Sequence, residues 1–132
     1  MSTLKVTNIQ DTSGGNSLTT AQLYSGAAKA WVNFDGTGAV GTQTIRSSFN
    51  VSSVYKNGTG DYTVNFSSAL VDANHVVQFG GYDKNGTGNV YMPLPTFSTP
   101  STTSVRVFTS YYTGGNIIIR DDVSYICVGI FR

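Results

Sequence analysis

The only histidine of this chain, His75, follows Asp72-Ala73-Asn74 and precedes the apolar pair Val76-Val77. Ser–His–Asp chemistry needs an imidazole held between a nucleophile and an orienting acid. Serines and aspartates are plentiful, but no Gly-x-Ser-x-Gly elbow accompanies them. A histidine at a turn or strand edge is therefore the simpler reading. Paired carboxylates cleave glycosidic bonds in many enzymes. Asp121 and Asp122 are adjacent, however, and neighbours on a strand point to opposite faces. A hairpin turn accounts for them more simply. Asp83-Lys84-Asn85-Gly86-Thr87-Gly88-Asn89 carries oxygen ligands at alternate positions, like the start of a calcium loop. It lacks the later carboxylate that completes such a loop, and a plain hairpin competes with it. Gly-Lys-Ser/Thr leading into a helix, the mark of a phosphate loop, is absent. No catalytic residue, cofactor or metal is expected.

Aromatic rings with amides beside them suit another chemistry. A ring covers the C–H face of a sugar and amides bond its hydroxyls. Trp31, Tyr82, Tyr91, Tyr111 and Tyr112, with Asn85 and Asn89 near them in sequence, are candidates for contact with glycans or a host surface. The competing account places these rings in the core or between subunits, where aromatics are the main apolar material available. Cys127, the single cysteine, forms no internal disulfide. It lies in the apolar run Tyr125 to Phe131 and reads as a buried, inert thiol. Four Asn-x-Ser/Thr sequons begin at Asn50, Asn57, Asn65 and Asn85. With so much Asn and Thr, and no secretion signal, they read as chance matches.

The elements that would position these residues are strands. Asp35-Gly36-Thr37-Gly38, Asn57-Gly58-Thr59-Gly60 and Asn85-Gly86-Thr87-Gly88 repeat one turn signal between alternating apolar and polar runs. Asn-Gly and Asp-Gly tolerate positive φ, so each copy is read as a strand reversal. Ala30, Val32 and Phe34 share one face, as do Tyr62, Val64 and Phe66. Val76 to Phe79, Val90 to Met92, Val105 to Tyr112 and Ile117 to Ile119 read as further strands. The stretch from Ile45 to Tyr55 reads as two strands or one with a bulge. Both faces of Tyr125 to Phe131 are apolar, which places that strand at a sheet centre or between two sheets. The fold expected is all-β, an antiparallel β-sandwich, jelly-roll-like in the loose sense.

Residues 1–27 differ from the rest. Leu4 to Ile9 alternates, Asp11 to Ser17 is a flexible polar stretch, and Thr19 or Thr20 caps a short helix closed by Gly26. The segment is too polar for a core of its own and reads as an arm ordered against a partner. Two parts follow: an attachment or oligomerisation arm, 1–27, and a sandwich head, 28–132.

All 132 residues fit one domain of this kind, and only 11% are charged. The acidic residues are all Asp. Net charge is +1 and scattered, with no basic stripe, which argues against nucleic acid. No apolar run approaches a membrane span. The opening Met1-Ser2-Thr3-Leu4-Lys5 has no apolar signal core behind it, so a small unprocessed cytosolic product is expected. The low charge gives sheet edges little protection, so neighbouring copies are expected to cover some edges and aromatics.

Three stretches carry a resemblance. Ala28-Lys29-Ala30-Trp31-Val32-Asn33-Phe34-Asp35-Gly36-Thr37-Gly38, Ile45 to Ser53, and Asn57 to Phe66, with Val6 to Gly14 before them, resemble a segment of tail-fibre and fibre-like virion proteins of tailed phages. The resemblance is to those of marine and cyanobacterial phages especially. The resemblance spans roughly residues 4–80 and rests most on the unusual string Lys-Ala-Trp-Val-Asn-Phe. It implies a non-enzymatic structural protein, a homotrimer assembled in the host cytoplasm and located in the virion. It implies docking to tail or capsid proteins through the arm and contact with host glycans at the far end. Tail fibre, head fibre and capsid decoration all stay open. The rival reading of the residues is a carbohydrate-binding β-sandwich module that acts as a monomer. A small glycan hydrolase is a third, made unattractive by the lack of Glu.

Overall fold

A computed structural model describes residues 2–82, 91–94, 101–113 and 117–132. Twelve strands and one helix are described: β1 Asn8–Gln10, β2 Ser17–Thr19, α1 Thr20–Gly26, β3 Ala28–Phe34, β4 Gly41–Thr42, β5 Ile45–Phe49, β6 Val51–Gly58, β7 Asp61–Phe66, β8 Val76–Tyr82, β9 Tyr91–Leu94, β10 Ser104–Thr113, β11 Ile117–Arg120 and β12 Tyr125–Phe131. The fold is an antiparallel all-β sandwich. One sheet has six strands, ordered β11-β10-β7-β6-β4 with β9 also paired to β10. The other has four, ordered β5-β3-β12-β8.

The alternation seen in the sequence becomes the core. Ala30, Val32 and Phe34 of β3 and Ile126, Val128 and Ile130 of β12 point inward from the four-stranded sheet. Val54, Tyr62, Val64, Phe66, Val105 and Val107 answer them from the six-stranded sheet. Phe34 meets Tyr62 edge-on, with ring centroids 5.2 Å apart. Each such aliphatic side chain contributes about 1.5–3 kcal/mol by leaving water. β12 lies inside its sheet, between β3 and β8, as expected, although only its inner face is buried.

The chain crosses repeatedly between the sheets, and this corrects two readings. The first Gly-Thr-Gly copy, 35–38, leads from β3 in one sheet to β4 in the other, so it is a crossover and not a hairpin. Gly36 N–H donates to the Val123 carbonyl at 3.0 Å, and Asp35 Oδ1 accepts from Thr37 N–H. Asp121-Asp122 likewise joins β11 to β12 across the sandwich, not around a hairpin. The second copy does reverse the chain between the paired strands β6 and β7, with Gly60 at φ +61°. The third copy, and the calcium-like stretch that contains it, lie outside the described residues.

Ile45 to Tyr55 divides into two strands on different sheets, β5 and β6. The corner between them is Asn50, at φ 54°, a left-handed conformation uncommon outside glycine. Its side chain holds the corner: Nδ2 donates to the Lys29 and Ser68 carbonyls, and Oδ1 accepts from Ser68 N–H. Residues 69–74 form bends without a helical turn.

The N-terminal segment is more ordered than its composition suggested. β1 and β2 pair as a hairpin, closed by the Asp11 carboxylate, which accepts from Ser13, Gly15 and Asn16. Thr19 caps α1 and forms a capping box with Gln22. Every residue from 2 to 27 is nonetheless exposed.

Candidate binding site

Two clusters of chemically capable side chains stand out. The first lies at one end of the sandwich, where Lys56 occupies an inward position of β6. Its Nζ donates to the Gly38 carbonyl at 2.6 Å and to Asp122 Oδ2 at 2.5 Å. Asp122 Oδ1 accepts from Gly60 N–H at 2.9 Å and lies 3.0 Å from the Tyr62 hydroxyl, which also reaches the Gly36 carbonyl at 2.9 Å. Burial, and then the charge of Asp122, push the Tyr62 phenol far above its ordinary value. Beside this knot, Asp61 pairs with Arg106 and Arg120. Burial works against the Asp61 charge, but Arg106, Asn57 and Arg120 outweigh it and hold the carboxyl below its usual range.

Both oxygens of Asp122 are engaged by groups of the protein itself. The knot ties the first two Gly-Thr-Gly copies to the β11–β12 crossover. Its geometry explains the adjacent aspartates as a structural clasp. Glycine is required where the clasp is tightest: a Cβ on Gly36 would stand 2.5 Å from the Tyr62 hydroxyl, and one on Gly60 2.5 Å from the Thr109 carbonyl. His75 stands apart, half-buried just before β8 and edge-on to Phe66 at 6.2 Å. Desolvation lowers its pKa, partly offset by the charge of Asp72, and Nδ1 has no hydrogen-bond partner.

The second cluster is open to solvent, on the outer face of the four-stranded sheet. Strand register sets Phe49, Trp31, Gly129 and Gln78 side by side across β5, β3, β12 and β8. The next row is Ser47, Asn33, Cys127 and Gly80. Glycines at 80 and 129 supply no side chain, so a trough runs between Trp31 on one side and Gln78 and Phe131 on the other. Its volume is about 440 Å³. Asn33 Nδ2 donates to Cys127 Sγ at 2.9 Å in its floor. Trp31 is 40% exposed and Phe49 55%. Cys127 is exposed too, contrary to the expectation of a buried thiol. The apolar run that suggested burial alternates: Ile126 and Val128 face the core, and Cys127 faces out.

Of the residues singled out from sequence, Trp31 is part of this trough. Tyr82 ends β8, opposite Tyr125. Tyr91 and Tyr111 are register partners on β9 and β10, with Tyr112 next along β10. Tyr82 thus belongs to one sheet and Tyr91, Tyr111 and Tyr112 to the other. Asn85 and Asn89 lie outside the described residues. Asn33, Gln78, Gly80 and Gly129 were missed. Their only signal was an outward position on strands whose order the sequence does not state. Among the described residues, no group of three or more His, Cys or Asp side chains is placed to hold a metal ion. No helix among them is long and apolar enough to cross a membrane. Comparison with protein-family models, curated proteins and solved structures finds no match to this chain.

Proposed function

We propose that the chain is a non-enzymatic structural component of a phage particle, a tail-fibre, head-fibre or capsid-decoration protein. The observation that carries this reading is the arm. Leu4, Val6, Ile9, Leu18, Leu23 and Tyr24 are between 42% and 85% exposed, on a segment whose hairpin and helix are locally capped but not covered by the sandwich. Apolar side chains held out on ordered structure suit a partner surface. The resemblance of residues 4–80 to phage fibre-like proteins supplies the partner: other virion proteins, and further copies of this chain about a three-fold axis. The sandwich then acts as a head for contact with host surface glycans, a role proposed for Tyr82, Asn85, Asn89, Tyr91, Tyr111 and Tyr112.

Light scattering on the purified chain tests self-association, with a trimer expected. Labelling of intact particles, viewed by electron microscopy, tests location. A stable monomer that no particle carries would end this reading in favour of the carbohydrate-binding module.

A further inference from the structure

We propose that the trough on the outer face of the four-stranded sheet is a binding site for a neutral saccharide, with Trp31 as its platform. This goes beyond the particle reading, because the site centres on Trp31, on the opposite sheet from Tyr91, Tyr111 and Tyr112, and does not depend on the arm.

The chemistry of the trough selects its ligand. Its lining is Trp31, Asn33, Gln78, Cys127 and Phe131 around the bare backbone of Gly80 and Gly129, with no charged side chain among them. A phosphate, sulfate or carboxylate ligand would find no counter-charge. A peptide strand would add to a sheet edge, where backbone donors and acceptors are free, not lie across a face. A ligand with apolar C–H faces and many hydroxyls matches both kinds of wall. The indole covers the ring face, and the amides of Asn33 and Gln78 bond the hydroxyls.

Spacing agrees. Trp31 and Gln78 flank Gly129 on adjacent strands, so roughly 10 Å separates their backbones. The missing side chain between them leaves a slot bordered by the Phe131 ring, which would stand 3.4 Å from a Cβ on Gly129, and a sugar ring would lie on its open side against the indole. A Cβ on Gly80 would meet nothing within 4 Å, so the slot stays open beside Cys127. The bond from Asn33 Nδ2 to Cys127 Sγ fixes that amide and leaves its carbonyl oxygen as the acceptor for a hydroxyl.

Trp31 is the only tryptophan of the chain, so its fluorescence reports on the site directly. The intact protein is titrated with dextran, galactomannan, xylan and soluble β-glucan, with hyaluronate as an acidic control. The expected result is a saturable change in indole emission with at least one neutral polymer and none with hyaluronate. Affinity electrophoresis on the same polymer then compares variants. Gly80→Leu fills the slot at a position with room for the side chain, and Trp31→Ala removes the platform. Each is expected to weaken retention roughly tenfold or more. Tyr55→Ser, on the other sheet, is expected to leave retention unchanged. Should Gly80→Leu fail to fold, Trp31→Ala carries the test by itself, since its side chain is outside the core. Response to none of the neutral polymers, or retention that survives both substitutions, overturns the proposal. So does a change of oligomeric state in Gly80→Leu without saccharide binding, which would assign the trough to a second copy of the chain. Trimer formation and particle location are read in separate experiments, so either proposal can fail alone.

Discussion

At the scale of single residues, the molecule invests most in the clasp around Asp122. Lys56 keeps only 6% of its side chain exposed and Asp122 26%, so removal of one partner strands the other. Lys56→Met is expected to cost about 3 kcal/mol in urea unfolding. The double change Lys56→Met with Asp122→Leu should recover much of that loss, because no buried charge remains. Gly60→Ala combines a left-handed backbone with a clash against the Thr109 carbonyl, and is expected to cost about 2–4 kcal/mol. Tyr62 gives the clasp a pH signature. Its phenol is raised in the folded state, so the contribution is fully present below the ordinary value of 10.0. It is lost as pH rises beyond that value, because only the unfolded chain then releases the proton. Thermal melts should fall steeply in alkali, and Tyr62→Phe should flatten that fall. Asp61 works in the opposite direction. Its carboxyl is held down by Arg106 against the opposing effect of burial, so its contribution is present above the ordinary value of 3.8 and lost as pH drops through the lower folded value. Asp61→Asn should be less stable than the parent at neutral pH and lose less on acidification.

At the scale of elements, period-two alternation was the legible part. It picked out β3, β7 and β12 with their inward faces, because burial on one face leaves a direct mark on composition. Thr19 was legible as a helix cap for a similarly local reason. What alternation does not encode is which sheet a strand joins. Hence Asp35-Gly36-Thr37-Gly38 and Asn57-Gly58-Thr59-Gly60 read alike, yet one crosses the sandwich and the other turns back. The difference lies in partners distant in sequence: Val123 for Gly36, and Asp122 for Gly60. The trough was illegible on the same grounds, since Gln78 and Trp31 become near neighbours only after β12 inserts between their strands. Asn50 is the sharpest local test of an element boundary. Asn50→Ala keeps the left-handed requirement but removes three hydrogen bonds, and a loss of about 2–3 kcal/mol is expected. Asn50→Gly relieves the backbone and should lose less.

At the scale of the whole molecule, the chain changes sheets at six of the nine connections between the described strands from β3 to β12: β3 to β4, β4 to β5, β5 to β6, β7 to β8, β8 to β9 and β11 to β12. Each layer is assembled from pieces far apart in sequence. Binding of a partner to the arm should leave the sandwich unaltered, because residues 2–27 contribute nothing to its core. Limited proteolysis of the intact chain is expected to cut first within residues 2–27 and to release a resistant fragment beginning near Ala28. Cleavage that begins inside β6 or β7 would contradict this division.

The position of β12 bears on how the protein comes into being. Strands β3 and β8 share no hydrogen bonds with each other; each is paired to β12. A nascent chain emerging from the ribosome can pair β3 with β5, but β8 has nothing in its layer to zip against until β12 has been made. Completion of that layer is a late and slow event, because it joins segments nearly a hundred residues apart, and the hydrophobic inner face of β8 has no layer to sit in until then.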